Sequence, residues 1–258
     1  MAKKTEVRRE QIVTLASETG LTSVEALAAQ FGVTPSTIRR DLAQLSAEGR
    51  LARTYGGAIA PQAHVESSLR EREREGYAAK SAIATWAAEQ IEPGETILLD
   101  AGSTTSLVAR RLPEIADLTV ATASIPVITA LQGREDLELI SLGGRLRALS
   151  QAFVGPLTEM ALERLTFDRV FLGTDGVATD GSICEAELDQ TRLKELLAGR
   201  AREVYVLAHS AKLGQAPFNS WARLAGPWTL VTDSGADPAF LADFTAGGRR
   251  AVTADLPA

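Results

Sequence analysis

The sequence contains one cysteine and two histidines among its 258 residues. Cys184 cannot form an internal disulfide, and alone it cannot supply a thiolate metal site. His64 and His209 would add only two imidazole ligands. We therefore expect no structural metal site, and we predict no cofactor.

Long apolar runs are also absent. Nowhere do about 20 apolar residues follow one another, as a membrane-spanning helix requires. The start, MAKKTEVRRE, lacks the apolar stretch of a signal peptide. We therefore predict a cytoplasmic protein with no membrane partner. The length of 258 residues indicates one small and one medium domain. The composition, with 45% hydrophobic and 23% charged residues, is typical of a globular protein.

Positive charge is scarce overall, since the formal net charge is −6. This average conceals a difference between the two parts of the chain. Residues 1–60 carry eight basic and six acidic side chains, a surplus of two positive charges, so the remainder carries a surplus of eight negative charges. A basic N-terminal segment on an acidic body is expected if only that segment contacts nucleic acid.

Three short helices are predicted in residues 1–60. The first runs from Arg8 to Thr19 on helically spaced apolar residues. The second follows a capping-box pattern, with Thr22 and Glu25 three residues apart, and ends at Gly32. The third begins after Thr34, a favourable N-cap residue, with a proline at its first position. Two short helices joined by a tight turn are typical of a helix-turn-helix.

The third helix has one aliphatic face and one polar face. Ile38, Leu42 and Leu45 share a face at helical spacing, whereas hydroxyl and guanidinium groups occupy the other side. Arginine can bond guanine edges, and serine or threonine near the helix N-terminus can reach phosphates or bases. A solvated surface helix is the alternative interpretation. The candidate DNA contacts here are Thr34, Ser36, Thr37, Arg39 and Arg40.

A short β-prone segment follows the third helix and leads into a Gly-Gly turn, a pattern that predicts a wing. Arg53 and Tyr55 stand at alternate positions, so both project from the same strand face toward the sugar-phosphate backbone or the minor groove. We therefore add Arg53, Tyr55 and Gly56 to the candidate DNA contacts.

The string FGVTPSTIRRDLAQLSAEGRLARTYGGAI resembles the N-terminal signature of the DeoR family of transcriptional regulators. TIRRDL is followed at the expected separation by a glycine-led basic wing ending in GGA. The resemblance covers residues 1–60, and it implies a winged helix-turn-helix domain that binds double-stranded operator DNA.

Residues 61–78 are polar and highly charged, with SLREREREG at their centre. This composition is typical of a linker or of a surface helix. We predict a linker over 61–78 and a larger domain over 79–258.

The larger domain alternates helices with short apolar strands. This pattern indicates a mainly parallel α/β sheet that is covered on both faces. In such sheets ligands bind beyond the carboxyl ends of the strands, where Gly, Ser, Thr and Asp cluster in this sequence. The predicted strands are 96–100, 118–124, 137–144, 169–176, 203–210 and 228–234.

The DAGSTT turn at 100–105 joins a predicted strand to a helix that starts near Ser103. A helix N-terminus offers free N–H groups and a positive dipole end to an anion. The same residue types also serve as ordinary turn and cap residues. Asp175, at another strand end, could accept hydrogen bonds from sugar hydroxyls or cap a turn. Lys194 and Lys212 could balance a phosphate charge or be plain surface lysines.

Together these segments resemble the sensor domain of the same family, which is related in fold to sugar-phosphate isomerases such as ribose-5-phosphate isomerase. The resemblance runs from about Lys80 to Ser234, on the motifs DAGSTT, TAS, LGG, VGP, FLGTDG and AKLG. It implies that a phosphorylated sugar or related metabolite binds, with its phosphate at 102–105. The candidate effector contacts are Asp100, Gly102, Ser103, Thr104, Thr105, Thr122, Ser124, Gly144, Asp175, Gly176, Lys194 and Lys212.

Two positions depart from the family pattern. Many relatives have asparagine where this chain has Ala123, and aspartate where it has His209. The first change removes an amide donor and acceptor, and the second replaces a fixed anion with a group that titrates near neutrality. The identity of the effector therefore cannot be taken over from relatives. His209 is either a plain strand-end residue or a ligand contact.

The preferred interpretation is a repressor of a sugar or polyol operon that a phosphorylated metabolite releases from DNA. Symmetric operator half-sites require a homo-oligomer, a dimer or a tetramer. One alternative is a sugar-phosphate isomerase or deaminase with a DNA-binding head, in which Asp100, Asp175 or Glu185 could act as the base. Another is a constitutive architectural DNA binder.

Overall fold

The computed structural model describes residues 2–19, 22–47, 52–54, 57–59 and 66–256. The chain forms two compact units, Met1–Val65 and Glu66–Ala258. Among the described residues, no helix is long and apolar enough to cross a membrane.

The described part of the N-terminal unit contains three helices and a small antiparallel sheet with the strand order β1-β3-β2. Its core is made of Ile12, Val24, Leu27, Ala28, Ile38, Leu42 and Leu45. Its elements are α1 (Ala2–Thr19), β1 (Thr22–Ser23), α2 (Val24–Phe31), α3 (Pro35–Ala47), β2 (Ala52–Thr54) and β3 (Gly57–Ile59).

The predicted third helix and wing are confirmed, and two details of the prediction were wrong. α3 begins at the predicted proline, and the backbone N–H of Thr37 donates to Oγ1 of Thr34 at 3.3 Å. The first helix starts at Ala2, six residues earlier than predicted. Thr22 does not immediately precede α2, because it lies in β1, where it pairs with Ala58 of β3.

The second unit is built on a seven-stranded, wholly parallel sheet with the order β15-β14-β12-β9-β4-β5-β6. Its strands are β4 (Thr96–Leu99), β5 (Leu118–Thr122), β6 (Leu137–Ser141), β9 (Phe167–Leu172), β12 (Ala201–Leu207), β14 (Thr229–Asp233) and β15 (Arg250–Ala254). The first six confirm the predicted strands.

Helices cover both faces of this sheet, as expected from its apolar strands. Alternate residues of β9 point to opposite cores: Val170 and Leu172 pack in one cluster, and Phe171 packs in the other. The helices are α4 (Leu69–Arg74), α5 (Tyr77–Glu89), α6 (Ser103–Arg111), α7 (Ile125–Leu131), α8 (Pro156–Leu162), α9 (Leu188–Ala198) and α10 (Pro238–Ala246), with a 3-10 turn at Ser210–Lys212.

Two smaller antiparallel sheets accompany the main one. The first is the hairpin of β7 (Arg145–Arg147) and β8 (Ala152–Val154). The second has the order β10-β11-β13 and contains β10 (Gly176–Val177), β11 (Ile183–Glu185) and β13 (Ser220–Ala222). Residue 175 directly precedes β10 and residue 185 ends β11, so this sheet places two carboxyl groups near the end of β9.

The strand order reverses between β4 and β9. From β4 the chain adds β5 and β6 on one side, and then returns to place β9 on the other side. The carboxyl ends of strands at such a switch point diverge to leave a crevice, which is the usual ligand site of this sheet type. Asp100 follows β4 there, and its Oδ2 accepts a hydrogen bond at 3.1 Å from the backbone N–H of Gly173, which follows β9.

The predicted linker 61–78 was too long. The second unit begins at Glu66, and α4 and the start of α5 belong to it. Leu69 is buried, and Ser68 and Glu71 form a reciprocal capping box that starts α4. A surface helix was one of the two interpretations of this segment, but its packing on the sensor unit was not predicted, because a single apolar residue, Leu69, stands in a run of charged residues.

Candidate functional site

In the N-terminal unit, α3 is held in place by a buried carboxylate. Asp41 accepts hydrogen bonds at 2.8 Å from Nε of Arg8 and at 2.9 Å from Nε of Arg9, both on α1. These ion pairs join the first helix to the third. The sequence interpretation counted the three residues only as net charge and did not predict this contact.

The outer face of α3 carries the predicted polar groups. Ser36, Arg39 and Arg40 are exposed, and Thr37 is half-buried. Oγ1 of Thr34 lies 2.8 Å from Oγ of Ser36 and 3.0 Å from Oγ1 of Thr37. In the described part of this unit, neither arginine has an ion-pair partner. The helix therefore presents two free guanidinium groups beside a cluster of hydroxyls, as groove recognition requires.

The predicted wing residues are described only in part. Arg53 lies in β2 opposite Ala58 of β3. Tyr55 and Gly56 lie outside the described residues, so their assignment as DNA contacts stays a prediction.

In the second unit, a buried lysine joins the loops at the switch point. Nζ of Lys194 on α9 lies 2.7 Å from Oδ2 of Asp100, 2.6 Å from the carbonyl of Gly173 and 3.1 Å from Oε1 of Glu185. Burial lowers the pKa of Lys194, but the attraction of Asp100 and Glu185 outweighs it and raises the pKa above its usual value. Lys194 is thus a fixed cation inside the site.

Glu185 behaves differently from the acids around it. Burial raises its pKa to about 8, and the nearby Asp175 and Asp100 add to the shift against the opposing attraction of Lys194. Two carboxyl groups share one ammonium group, and Asp100 has the closer contact. Glu185 therefore keeps its proton near neutral pH, and Lys194 and Asp100 form the charged pair.

One carboxylate oxygen of Asp175 has partners and the other has none. Its Oδ1 accepts from Nη1 of Arg72 at 3.3 Å and lies 3.9 Å from Nζ of Lys212, which also donates to the carbonyl of Thr174. Its Oδ2 is buried and has no hydrogen-bond partner within residues 66–256. Because a buried carboxylate oxygen without a donor is costly, it marks a place where a ligand hydroxyl could bind.

Two cationic side chains, Arg72 and Lys212, approach Asp175, and a third, Lys80, adjoins Arg72. Of these three, the sequence interpretation found only Lys212. Arg72 comes from α4 and Lys80 from α5, where Nζ of Lys80 donates to the carbonyl of Arg72. Lys80 is buried, and burial followed by repulsion from Lys212 lowers its pKa to about 8. Lys80 is the only charged residue between Tyr77 and Trp86, a signal in the sequence that we overlooked.

His209 lies at the edge of this cationic group. Its ring is close to Gly76, and its Nδ1 is buried with no hydrogen-bond partner in the described part of the chain. Burial, together with repulsion from Lys212 and Lys80, lowers its pKa to about 4. His209 is therefore neutral near pH 7 and can offer either a donor or an acceptor.

Some hydroxyl groups at the DAGSTT turn make hydrogen bonds within the turn, and others have no partner. The hydroxyls of Thr105 and Ser106 both donate to the carbonyl of Gly102, at 3.0 Å and 2.7 Å. The hydroxyls of Ser103 and Thr104 have no partner among the described residues. α6 has its first backbone N–H groups at this turn, and these have no intrahelical acceptor.

Four other predicted effector residues have local structural roles. Oγ1 of Thr122 donates to the carbonyl of Leu99 at 2.6 Å, and Ser124 caps α7. A Cβ at Gly144 would overlap the hydroxyl of Thr158, and one at Gly176 would overlap the carbonyl of Gln215. The contacts of these four residues are internal to the fold. Ala123, where relatives carry an amide, is packed in the core.

The described residues contain no group of three or more His, Cys, Asp or Glu side chains that could hold a metal ion. Cys184 is buried, its thiol donates to the carbonyl of Phe218, and burial raises its pKa to about 11. The thiol is therefore unreactive near neutral pH.

A winged helix-turn-helix with free arginines, followed by a parallel α/β unit with a polar switch-point crevice, defines a DNA-binding regulator with a sensor domain. Comparison with known proteins agrees. Residues 8–64 match the DeoR-like helix-turn-helix domain, and residues 75–234 match the DeoR C terminal sensor domain. The chain belongs to the DeoR family of transcriptional regulators.

Similar proteins include the HTH-type transcriptional regulator GlpR of Haloferax volcanii, 35% identical over 89% of this chain and 90% of its own. The glycerol-3-phosphate regulon repressor of Escherichia coli is 32% identical over 88% of this chain and 90% of its own. A solved D-ribose-5-phosphate isomerase in complex with phospho-erythronic acid matches 52% of each chain at 21% identity, with a TM-score of 0.38. The relatives are named as regulators and repressors, so the protein is a transcriptional regulator and not an enzyme.

Proposed function

We propose that the protein represses a sugar or polyol utilisation operon and leaves its operator when a phosphorylated sugar or polyol binds the sensor domain. The observation that carries this proposal is a group of three cationic side chains at a partly unsatisfied carboxylate. Arg72 and Lys212 approach Oδ1 of Asp175, Lys80 donates to the carbonyl of Arg72, and Oδ2 of Asp175 has no partner among residues 66–256. The name of the glycerol-3-phosphate regulon repressor supports the same class of effector.

The chemistry of the crevice matches both ends of such a molecule. A phosphate group requires cations and N–H donors, which the three basic side chains and the start of α6 supply. Sugar hydroxyls require acceptors, and Asp175 has a buried oxygen to offer. Lys194 and Asp100 form an ion pair, so together they contribute fixed polar groups to the site but no net charge.

Arg72 provides a route from the effector to the start of the sensor unit. Its Nη1 bonds Asp175, while its Nη2 lies 3.6 Å from Oε1 of Glu66, the first residue of the unit. Arg147 also bonds Glu66 through both of its terminal nitrogens. An effector that engages Asp175 or Arg72 therefore changes the ion pairing of Glu66, and this difference in contacts supplies a coupling free energy.

Binding of phosphorylated and unphosphorylated sugars and polyols to the full-length protein, measured by calorimetry, tests the proposal. We expect one or more phosphorylated compounds to bind and Lys212→Met to weaken that binding by at least about tenfold, the loss of one charge-assisted contact. Arg164→Met is the matched control, because Arg164 is exposed and contacts only Glu163 and the carbonyl of Met160. Equal affinity for phosphorylated and unphosphorylated forms would contradict the proposal.

A further inference from the structure

A cavity of about 540 Å³ lies in the sensor unit away from the switch-point crevice. It is found at the amino ends of β14 and β15, because Trp228 directly precedes β14 and Arg250 begins β15. Each of these strands has five residues, so their two ends are roughly 15 Å apart. We call it the arginine cavity, and its lining includes Asp180, Ser182, Arg223, Trp228, Arg249 and Arg250.

The hairpin of β10 and β11 runs between the crevice and the arginine cavity. Asp175 and Glu185 stand at its open end in the crevice, whereas its turn carries Asp180 and Ser182 to the cavity. The backbone N–H of Ala178 donates to the carbonyl of Ser182 at 2.9 Å and closes this turn. None of the predicted effector contacts lines the arginine cavity, so it is a separate site.

Positive charge is concentrated in the arginine cavity. Its charged lining residues are three arginines and one aspartate, a surplus of two positive charges, whereas residues 61–258 together have a surplus of eight negative charges. None of the three arginines forms an ion pair within residues 66–256. The nearby Glu195 accepts the backbone N–H of Arg223 at 2.9 Å and is not part of the lining. The guanidinium charges are therefore available to an anion.

Asp180 does not neutralise these arginines. Its Oδ1 accepts hydrogen bonds from the backbone N–H of Ser182, at 2.9 Å, and from the Ser182 hydroxyl. These hydrogen bonds lower the pKa of Asp180, and the charges of Arg223 and Arg249 lower it further against the opposing effect of burial. Both guanidinium groups thus lie near one carboxylate without forming an ion pair with it, and most of their N–H groups remain free.

Arg249 is held in place before any ligand binds. Its Nη1 donates to the carbonyl of Thr179 at 3.1 Å, and its guanidinium carbon lies 5.7 Å from the centre of the Phe244 ring. A Cβ at Gly181 would overlap Nε of Arg249, so the hairpin turn packs directly on this side chain. A fixed guanidinium loses little conformational freedom when it binds an anion.

We propose that the arginine cavity binds the diphosphate group of a small molecule. Each phosphate offers three strong acceptor oxygens, so two adjoining phosphates can accept from all three guanidinium groups at once. The volume falls within the range of about 300 to 1,000 Å³ that is usual for small-molecule sites. Leu224, Pro227 and Trp228 supply an apolar wall for the remainder of the molecule. This site requires neither DNA nor a sugar phosphate, so it does not rest on the proposed function.

Calorimetry of the full-length protein with inorganic pyrophosphate as the probe tests the site. We expect the wild type to bind pyrophosphate, and the double variant Arg223→Met, Arg250→Met to bind it at least about tenfold more weakly. Arg164→Met, at an exposed arginine elsewhere, and Lys212→Met, in the crevice, should bind pyrophosphate as the wild type does. Circular dichroism melting would show whether each variant is folded.

Chemical modification of arginine gives a second readout that needs no substitution. Phenylglyoxal treatment of the wild type, mapped by mass spectrometry, should modify Arg223 and Arg250 more slowly when pyrophosphate is present. Modification of Arg164 should not change. The proposal would be overturned if the wild type did not bind pyrophosphate, or if Lys212→Met removed the binding and the double variant kept it. Protection of Arg72 in place of Arg223 and Arg250 would also overturn it.

Discussion

Replacing Glu185 with glutamine tests the electrostatic description of the sensor crevice. Glu185 is buried beside Asp100 and Lys194, and burial raises its pKa to about 8. Below that pH the native side chain is a neutral acid, which glutamine resembles in shape and hydrogen-bonding capacity. The variant should therefore fold normally at neutral pH. Its free energy of unfolding should lack the pH dependence that the Glu185 carboxyl group contributes in the wild type.

The sign and size of the effect follow from linkage. The unfolded chain releases the Glu185 proton near pH 4.5, whereas the folded chain holds it until about pH 8. Stability from this group is complete below pH 4.5, falls by about 1.4 kcal/mol per pH unit between these values, and is lost above pH 8. The difference between the two pKa values corresponds to about 3 to 5 kcal/mol of stability.

Urea unfolding between pH 5 and pH 9 measures this difference. All three tryptophans, Trp86, Trp221 and Trp228, lie in the sensor unit, so their fluorescence follows its unfolding without a signal from the helix-turn-helix. The free energy of unfolding of Glu185→Gln, minus that of the wild type, should rise steadily from pH 5 to pH 8 and then level off. Parallel pH profiles for the two proteins would refute the assignment of a raised pKa to Glu185.

Three further predictions concern the DNA face, the coupling and the histidine. Arg40→Ala should weaken specific operator binding by about 1 to 3 kcal/mol and spare effector binding, because Arg40 is exposed and unpaired; loss of both in anisotropy and calorimetry would indicate unfolding instead. Glu66→Gln should keep operator affinity but reduce effector-induced release from DNA. If the effector released the variant as readily as the wild type, coupling through Arg72 and Glu66 would be excluded. Because the pKa of His209 is lowered to about 4, the wild type should lose about 1 to 3 kcal/mol as pH falls from 6.5 to 4. His209→Gln should not show this loss of stability in acid denaturation. Identical acid denaturation profiles for the variant and the wild type would contradict the lowered pKa of His209.

The helix-turn-helix could be predicted closely because its signals are local. Thr34, a proline at the first helical position and the spacing of Ile38, Leu42 and Leu45 all act within one or two helical turns, and each is found in the structure. β15 was missed for the opposite reason. It is one of the two edge strands, only its last residue is buried, and its sequence, RAVTA, lacks the apolar run that identified the other six strands.

The effector crevice could be predicted only in part, because its members come from distant points of the chain. Asp100, Asp175 and Lys212 follow strands or stand near strand ends, and the rule that ligands bind there locates them. Arg72 lies 103 residues from its partner Asp175, within a charged run that looks solvated. Only the packing of α4 on the sensor unit brings it into the site, and no local pattern encodes that contact.

Titration of labelled DNA from the gene's own upstream region, against a scrambled duplex of the same composition, tests the regulator and its sensor together. At about 150 mM salt we expect the wild-type protein to bind the upstream DNA roughly a thousandfold or more tightly than the scrambled DNA. A phosphorylated sugar or polyol that binds the sensor domain should lower the first affinity, and its unphosphorylated form should not. Equal affinity for the two duplexes, or operator binding that no phosphorylated compound changes, would contradict a DNA-binding repressor released by a phosphorylated metabolite.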